Sequence, residues 1–174
     1  TLKIYNMYVS FNLLPPNAKV WIYQSDSNLS SKDVELIEKE VKLFLNNWSS
    51  HNKEIESSYE IRYNRFLIIG LNENINSASG CSIDKSVNFI KNLQSILKVN
   101  FLNRLDVAYK IGNEINSISL LEFQNMIREN KLSKDSIVYN NMIDTKKLYL
   151  NSWETRIENS WHKKFLKMKK FLFI

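Results

Sequence analysis

Six consecutive residues, Phe66-Leu67-Ile68-Ile69-Gly70-Leu71, carry no polar side chain. Side chains alternate between the two faces of a strand, so this run is apolar on both and belongs inside a sheet. It is far too short to span a bilayer. Val20-Trp21-Ile22-Tyr23 has the same character. Two other segments alternate instead. Tyr59, Ile61 and Tyr63 oppose Glu60, Arg62 and Asn64, and Leu105, Val107 and Tyr109 share one side of residues 104–110. Those two read as half-exposed strands.

The segments between them have helical spacing. Ser30 followed by Asp33 is close to a capping box, and Leu29 with Val34 stands at the staple positions. Val34, Ile37, Val41, Phe44 and Trp48 then form one apolar stripe. Ile83, Val87, Ile90, Leu93 and Leu97 form another, over a helix from about Ser82 to Lys98. The order is β-α-β-β-α-β, the ferredoxin-like arrangement. In that fold the first and third strands are central and the second and fourth are edges, which matches the apolar and alternating patterns here.

The expectation is therefore an α+β chain with a ferredoxin-like β-α-β-β-α-β core over residues 18–110 and a C-terminal β-hairpin/helix extension over 111–150. Residues 1–17 read as an irregular lead-in ending at Pro15-Pro16, and 151–174 as a C-terminal segment with a basic tail. In the extension, Gly112-Asn113 suits a hairpin turn and Ile115 to Ile118 a short strand. Ser119 and Glu122 suit a capping box. Ile137-Val138-Tyr139 suits a further strand, and Asp144 or Thr145 a helix start.

The net charge of +6 is concentrated at one end. Lys163, Lys164, Lys167, Lys169 and Lys170 fall in the last twelve residues without an acid, and the preceding 162 residues carry 19 bases against 18 acids. Weak, non-specific polyanion contact is expected of those five lysines. A lone cysteine, Cys81, forbids an internal disulfide, and the N-terminus lacks the order of a signal peptide. A cytosolic protein is the expectation.

The loop Ser77-Ala78-Ser79-Gly80-Cys81-Ser82 leads into the second helix, whose free N–H groups suit an anion. With Arg62 it gives the expected ligand-binding set Arg62, Ser79, Gly80, Cys81 and Ser82, in a non-catalytic binding protein for an anionic small ligand or partner. A P-loop aligned on Lys85-Ser86 would place its two glycines where Ser79 and Asp84 stand, so ATPase activity is not expected. An alternative is an enzyme using Cys81 or Ser82 as nucleophile, with His51 or His162 as base, although a lone cysteine is more often a buried packing residue. A third is a component of an RNA-containing assembly, through the exposed sheet face carrying Glu60, Arg62, Arg104 and Asp106. Two distant histidines and one cysteine have no metal-ligand spacing, and no cofactor signature is present.

Several stretches carry a resemblance. They are Val20-Trp21-Ile22-Tyr23-Gln24-Ser25, Tyr59-Glu60-Ile61-Arg62-Tyr63-Asn64-Arg65-Phe66, Ser79-Gly80-Cys81-Ser82-Ile83-Asp84-Lys85-Ser86 and Ser160-Trp161-His162. Over most of residues 7–165 the chain resembles a family of small uncharacterised Bacteroidota proteins often labelled "ABC transporter ATPase". The resemblance implies that Arg62, Gly80, Cys81, Ser82 and Asp84 lie within family motifs. The label implies ATP hydrolysis, for which an intact Walker A motif would be required.

Overall fold

The computed structural model describes residues 8–50, 53–54, 56–75 and 78–171. Through Ile111 the elements are β1 (Lys19–Gln24), α1 (Ser31–Asn47), a small ribbon of β2 (Ser49–Ser50) and β3 (Lys53–Glu54), β4 (Ser57–Arg62), β5 (Phe66–Leu71), α2 (Gly80–Leu97) and β6 (Asp106–Ile111). The β-α-β-β-α-β order is thus present, with the ribbon inserted before the second strand. The extension adds β7 (Glu114–Ser119), α3 (Leu120–Arg128), β8 (Ile137–Tyr139), α4 (Lys146–Ser152), β9 (Glu154–Arg156) and a 3-10 helix, Trp161–Phe171.

The sequence signals for these elements are realised by contacts. Ser30 Oγ accepts from Asp33 N while Asp33 accepts from Ser30 N, closing the capping box of α1. Ser119 and Glu122 do the same for α3, and Thr145 caps α4. Tyr63, at φ 55°, and Asn64, at φ 47°, turn β4 into β5, and Gly112, at φ 58°, turns β6 into β7.

The first sheet is antiparallel in the order β1-β5-β4. Those three strands lie as in a ferredoxin-like sheet. The fourth does not take its place beside β1. Six residue pairs, Asp106↔Ser119 to Ile111↔Glu114, bind β6 to β7, and β6 also pairs with β8, giving a second sheet β7-β6-β8-β9. The tight Gly112 turn brings β7 to one edge of β6 at little loop-closure cost, and β8 pairs with the other edge, where β1 would have lain. Residue 110, the expected end of the core, lies inside this hairpin.

The two sheets face each other. Leu67, Ile69 and Leu71 of β5 point to α1 and α2, where Ile37, Val41, Leu45, Ile90 and Leu93 are buried. Phe66 and Ile68 point the other way, against Ala108, Tyr139, Tyr149 and Trp153. On the far side of the second sheet, Val107, Tyr109 and Val138 pack on Phe123, Ile127 and Phe165. The layers run helices, sheet, sheet, helices. The second sheet packs on the face of the first that carries Glu60 and Arg62, whose side chains are left part-exposed.

Both termini of the described chain are built in. Tyr8 bridges Ser57, and Phe11 and Leu14 are buried between the layers. The lead-in is irregular as expected, yet it is core. The C-terminal segment likewise inserts Phe165 beside Phe123. No helix among the described residues is long and apolar enough to cross a membrane.

Leu14 is the reason β5 carries a glycine. A Cβ on Gly70 would lie 2.5 Å from Leu14 Cδ1 and 3.2 Å from Phe11 Cε2. Gly70→Ala should therefore lower stability by about 1–3 kcal/mol, measured by urea unfolding, and the double variant with Leu14→Ala should lose less than the sum of the two single losses. Additive losses would remove the close contact as the cause.

Candidate functional site

The expected site residues do not converge. Arg62 pairs with Phe66 at one end of the first sheet, whereas α2 begins beyond Leu71, at the other. Arg62 is also already paired. Its Nη1 lies 3.1 Å from Glu60 Oε1, and Tyr149 Oη donates to Glu60 Oε2 at 2.8 Å. Beside it, Glu154 accepts from Tyr63 Oη at 2.6 Å and Lys110 Nζ at 2.9 Å. Burial alone would raise the Glu154 carboxyl, but these two donors and the charges of Lys110 and Arg62 hold it below its ordinary value. Two acids and two bases thus close one network between the sheets.

At the α2 terminus, Ser79 is the N-cap and its hydroxyl accepts from Ser82 N at 3.2 Å. Ser82 is fully buried, and its hydroxyl donates to Ser79 O at 2.8 Å. Its carbonyl accepts from Trp48 Nε1 at 2.9 Å. The expected stripe on α2 began at Ile83. The structure buries Ile90 and Leu93 of that stripe and turns Ser82 and Ser86 inward as well. Buried and turned back on its own helix, the Ser82 hydroxyl is closed to substrate. Gly80 has open space around it, and Cys81 is exposed, against the expectation of a buried packing thiol. Of the proposed bases, His51 lies outside the described residues, as does Ser77. His162 belongs to the opposite outer layer, packed on Phe123. No nucleophile–base pair forms with Cys81 among the described residues.

A cavity of about 220 Å³ lies where β6 and β8 part and the edge of β1 comes free. All six residues of β1 line it, from Lys19 to Gln24. Both faces of β1 are packed, so this is a lateral contact along the strand edge. The segment 144–146 begins to fill that edge: Val20 N donates to Asp144 O at 2.9 Å, Lys146 N donates to Ala18 O at 2.8 Å, and Lys19 bridges Thr145. Residues 141–143 then leave the strand direction and line the cavity. Backbone groups alternate sides along a strand, so Ile22, two residues after Val20, also turns its N–H and C=O outward. Neither has a hydrogen-bond partner among the described residues.

The wall opposite β1 holds Arg104, Asp106, Trp161 and His162. His162 is 1% exposed. Burial, helped by the Lys164 charge, pushes its imidazole down to about 4. Its Nδ1 lies 2.8 Å from Ser160 Oγ. Ser160 Oγ also lies 3.1 Å from Ile157 O and accepts from His162 N at 3.3 Å. One end of the cavity is fixed by an amide chain: Trp153 Nε1 donates to Asn141 Oδ1 at 3.0 Å, Asn141 Nδ2 to Gln24 Oε1 at 2.8 Å, and Gln24 Nε2 to Ser117 Oγ at 2.8 Å.

Among the tail lysines, Lys163, Lys164 and Lys167 are exposed, with Lys164 Nζ 4.8 Å from the Trp161 ring centre. The side chains of Lys169 and Lys170 lie outside the described residues. No family model matches the sequence, and neither a curated protein nor a solved structure does.

The free edge escaped sequence reasoning because β6 was expected to occupy it. What takes β6 away is β8, which pairs with its second edge, and no local sequence signal names that partner.

Two outcomes follow from burial. Cys81 should alkylate in the folded protein without denaturant, at the rate measured in urea to within about tenfold; protection until unfolding would contradict its exposure. For His162, the folded value lies below the unfolded one, so the unfolded chain binds the extra proton between about pH 6.5 and 4. Its contribution to stability is complete above that window and is lost as the pH falls through it. Wild type should lose on the order of 3 kcal/mol more than His162→Gln between pH 7 and 4, at 1.36 kcal/mol per unit, in urea unfolding at each pH.

Proposed function

We propose that the protein is a non-catalytic binding module, and that its partner is an extended peptide segment added to the free edge of β1. The single observation that carries this is the pair of unpartnered main-chain groups of Ile22 beside a cavity. Such an edge takes a strand by main-chain hydrogen bonds, while flanking pockets select side chains. Segment 144–146 supports the reading, because it already adds to this edge and stops at Val20. The incoming peptide continues where it leaves off. Trp161 and Trp21 offer ring surface, and Arg104 and Asp106 offer charge of both signs, for side chains on either side of the peptide. At about 220 Å³, the cavity takes a short segment, not a long strand.

A catalytic reading through Cys81 or Ser82 draws no support from this geometry. Cys81 lacks a base among the described residues, and Ser82 is buried with its hydroxyl engaged.

Proline at Ile22 tests the proposal, because it removes the outward N–H while an edge strand tolerates it there. A displayed hexapeptide library selected on wild-type protein should yield binders that Ile22→Pro no longer holds, with the fold unchanged by circular dichroism. N-methylation along a selected peptide should weaken binding at every second residue, the period of a strand. Peptides held equally by Ile22→Pro would sink the proposal, and so would a library that yields none.

A further inference from the structure

We infer that the cleft between the Tyr63–Arg65 turn and the β6–β7 turn binds an oxyanion, a carboxylate or a phosphate group, on the Arg65 guanidinium. This site lies apart from the β1 edge and rests on a different observation. Arg65 is 6% exposed. Its Nη1 donates to Ser25 O at 3.3 Å and its Nη2 to Asn28 Oδ1 at 2.6 Å. Its Nε–H is buried and has no partner. No carboxylate forms an ion pair with it among the described residues. The two bonds that Arg65 makes go to neutral oxygens, and these tie down the loop between β1 and α1. Burial disfavours the positive charge there, and the charge of Asp26, which makes no ion pair with it, offsets this only in part.

Arg65 lines an open cleft of about 610 Å³. Asn28, Asn64, Asn113 and Asn116 line it with Arg65, and Glu114 is its one acid. Side-chain amides donate to an oxyanion without adding charge, and a guanidinium binds carboxylate or phosphate by a planar fork. Three residues in the left-handed region, Tyr63, Asn64 and Gly112, make the two turns that bound the cleft. A bulky residue such as Tyr63 rarely holds that conformation, and such strain gathers at ligand clamps.

The test uses the full chain and three salts at matched ionic strength: inorganic phosphate, citrate and chloride. Thermal unfolding and proton–nitrogen NMR titration read the binding. Because Arg65→Met removes a clamp and could unfold the protein, the decisive variants are Asn113→Asp and Asn116→Asp, which place a negative charge in the cleft. Asn88→Asp, exposed on α2, is the control for added charge. Wild type should be stabilised by phosphate or citrate over chloride, with shifts at Asn64, Arg65 and Asn113. Stabilisation by phosphate alone identifies a phosphate site, and by citrate alone a carboxylate site; both together identify a shared oxyanion site. Asn113→Asp and Asn116→Asp should each weaken the apparent affinity by about tenfold or more, as like charge at a partly buried ion site does, while Asn88→Asp and Ile22→Pro leave it unchanged. Equal stability in all three salts would overturn the inference, and so would equal losses in the cleft variants and the control.

Discussion

The structure depends on the burial of both faces of β5. A strand whose six side chains are all apolar has no face to offer water, so each side must be covered by a separate layer. Two amphipathic helices cover one. A third helix in their place on the other side would complete an ordinary sandwich, but the chain supplies a sheet. Sheet against sheet leaves a thin, flat interface, and the rings of Phe66, Tyr139, Tyr149 and Trp153 fill it. Their centroids lie close together, 4.9 Å for Phe66 and Trp153 and 5.0 Å for Tyr139 and Trp153. Interlocked rings resist sliding better than aliphatic chains, which fixes one sheet over the other.

Polar contacts set the relative position more finely. The hydrogen-bond chain from Trp153 through Asn141 and Gln24 to Ser117 joins Gln24 of the first sheet to Ser117 of the second and to two residues of the connections on either side of α4. Gln24 sits at the end of β1, where a polar side chain in a near-apolar strand has a place only if both of its ends are met. Lys146 plays a similar part near the other end. Lys146 is 7% exposed, and its ammonium donates to Asn12 O and Leu14 O, pinning the irregular N-terminal segment beneath α4. Burying these groups without partners would cost more than the contacts themselves return.

Much of this was legible in the chain. Ser30 with Asp33, Ser119 with Glu122, Thr145 and Gly112 each mark a terminus or turn by local chemistry that does not depend on the rest of the fold. The apolar stripes on α1 and the run at β5 identified the helices and the inner strand. What was not legible is which strand joins which sheet. Val107 and Tyr109 alternate in the same way whether β6 lies beside β1 or beside β7, because alternation reports a covered face and not its neighbour. The site was lost with it: an edge becomes free only when the strand expected there is elsewhere. Arg65 was hidden differently, since an arginine after a turn reads as solvated until its burial is known. Cys81 and Ser82, adjacent in sequence, face out and in, a difference of one helical step that a motif cannot express.

The bridge of Lys19 to Thr145 has a consequence for synthesis. β1, β4 and β5 emerge from the ribosome early, while Tyr139, Tyr149 and Trp153, which cover Phe66 and Ile68, lie some 70 to 90 residues behind. At roughly 5–20 residues per second the nascent sheet waits several seconds with one apolar face bare. The early half of this chain is thus the stretch for which a cell's chaperones would have the most use.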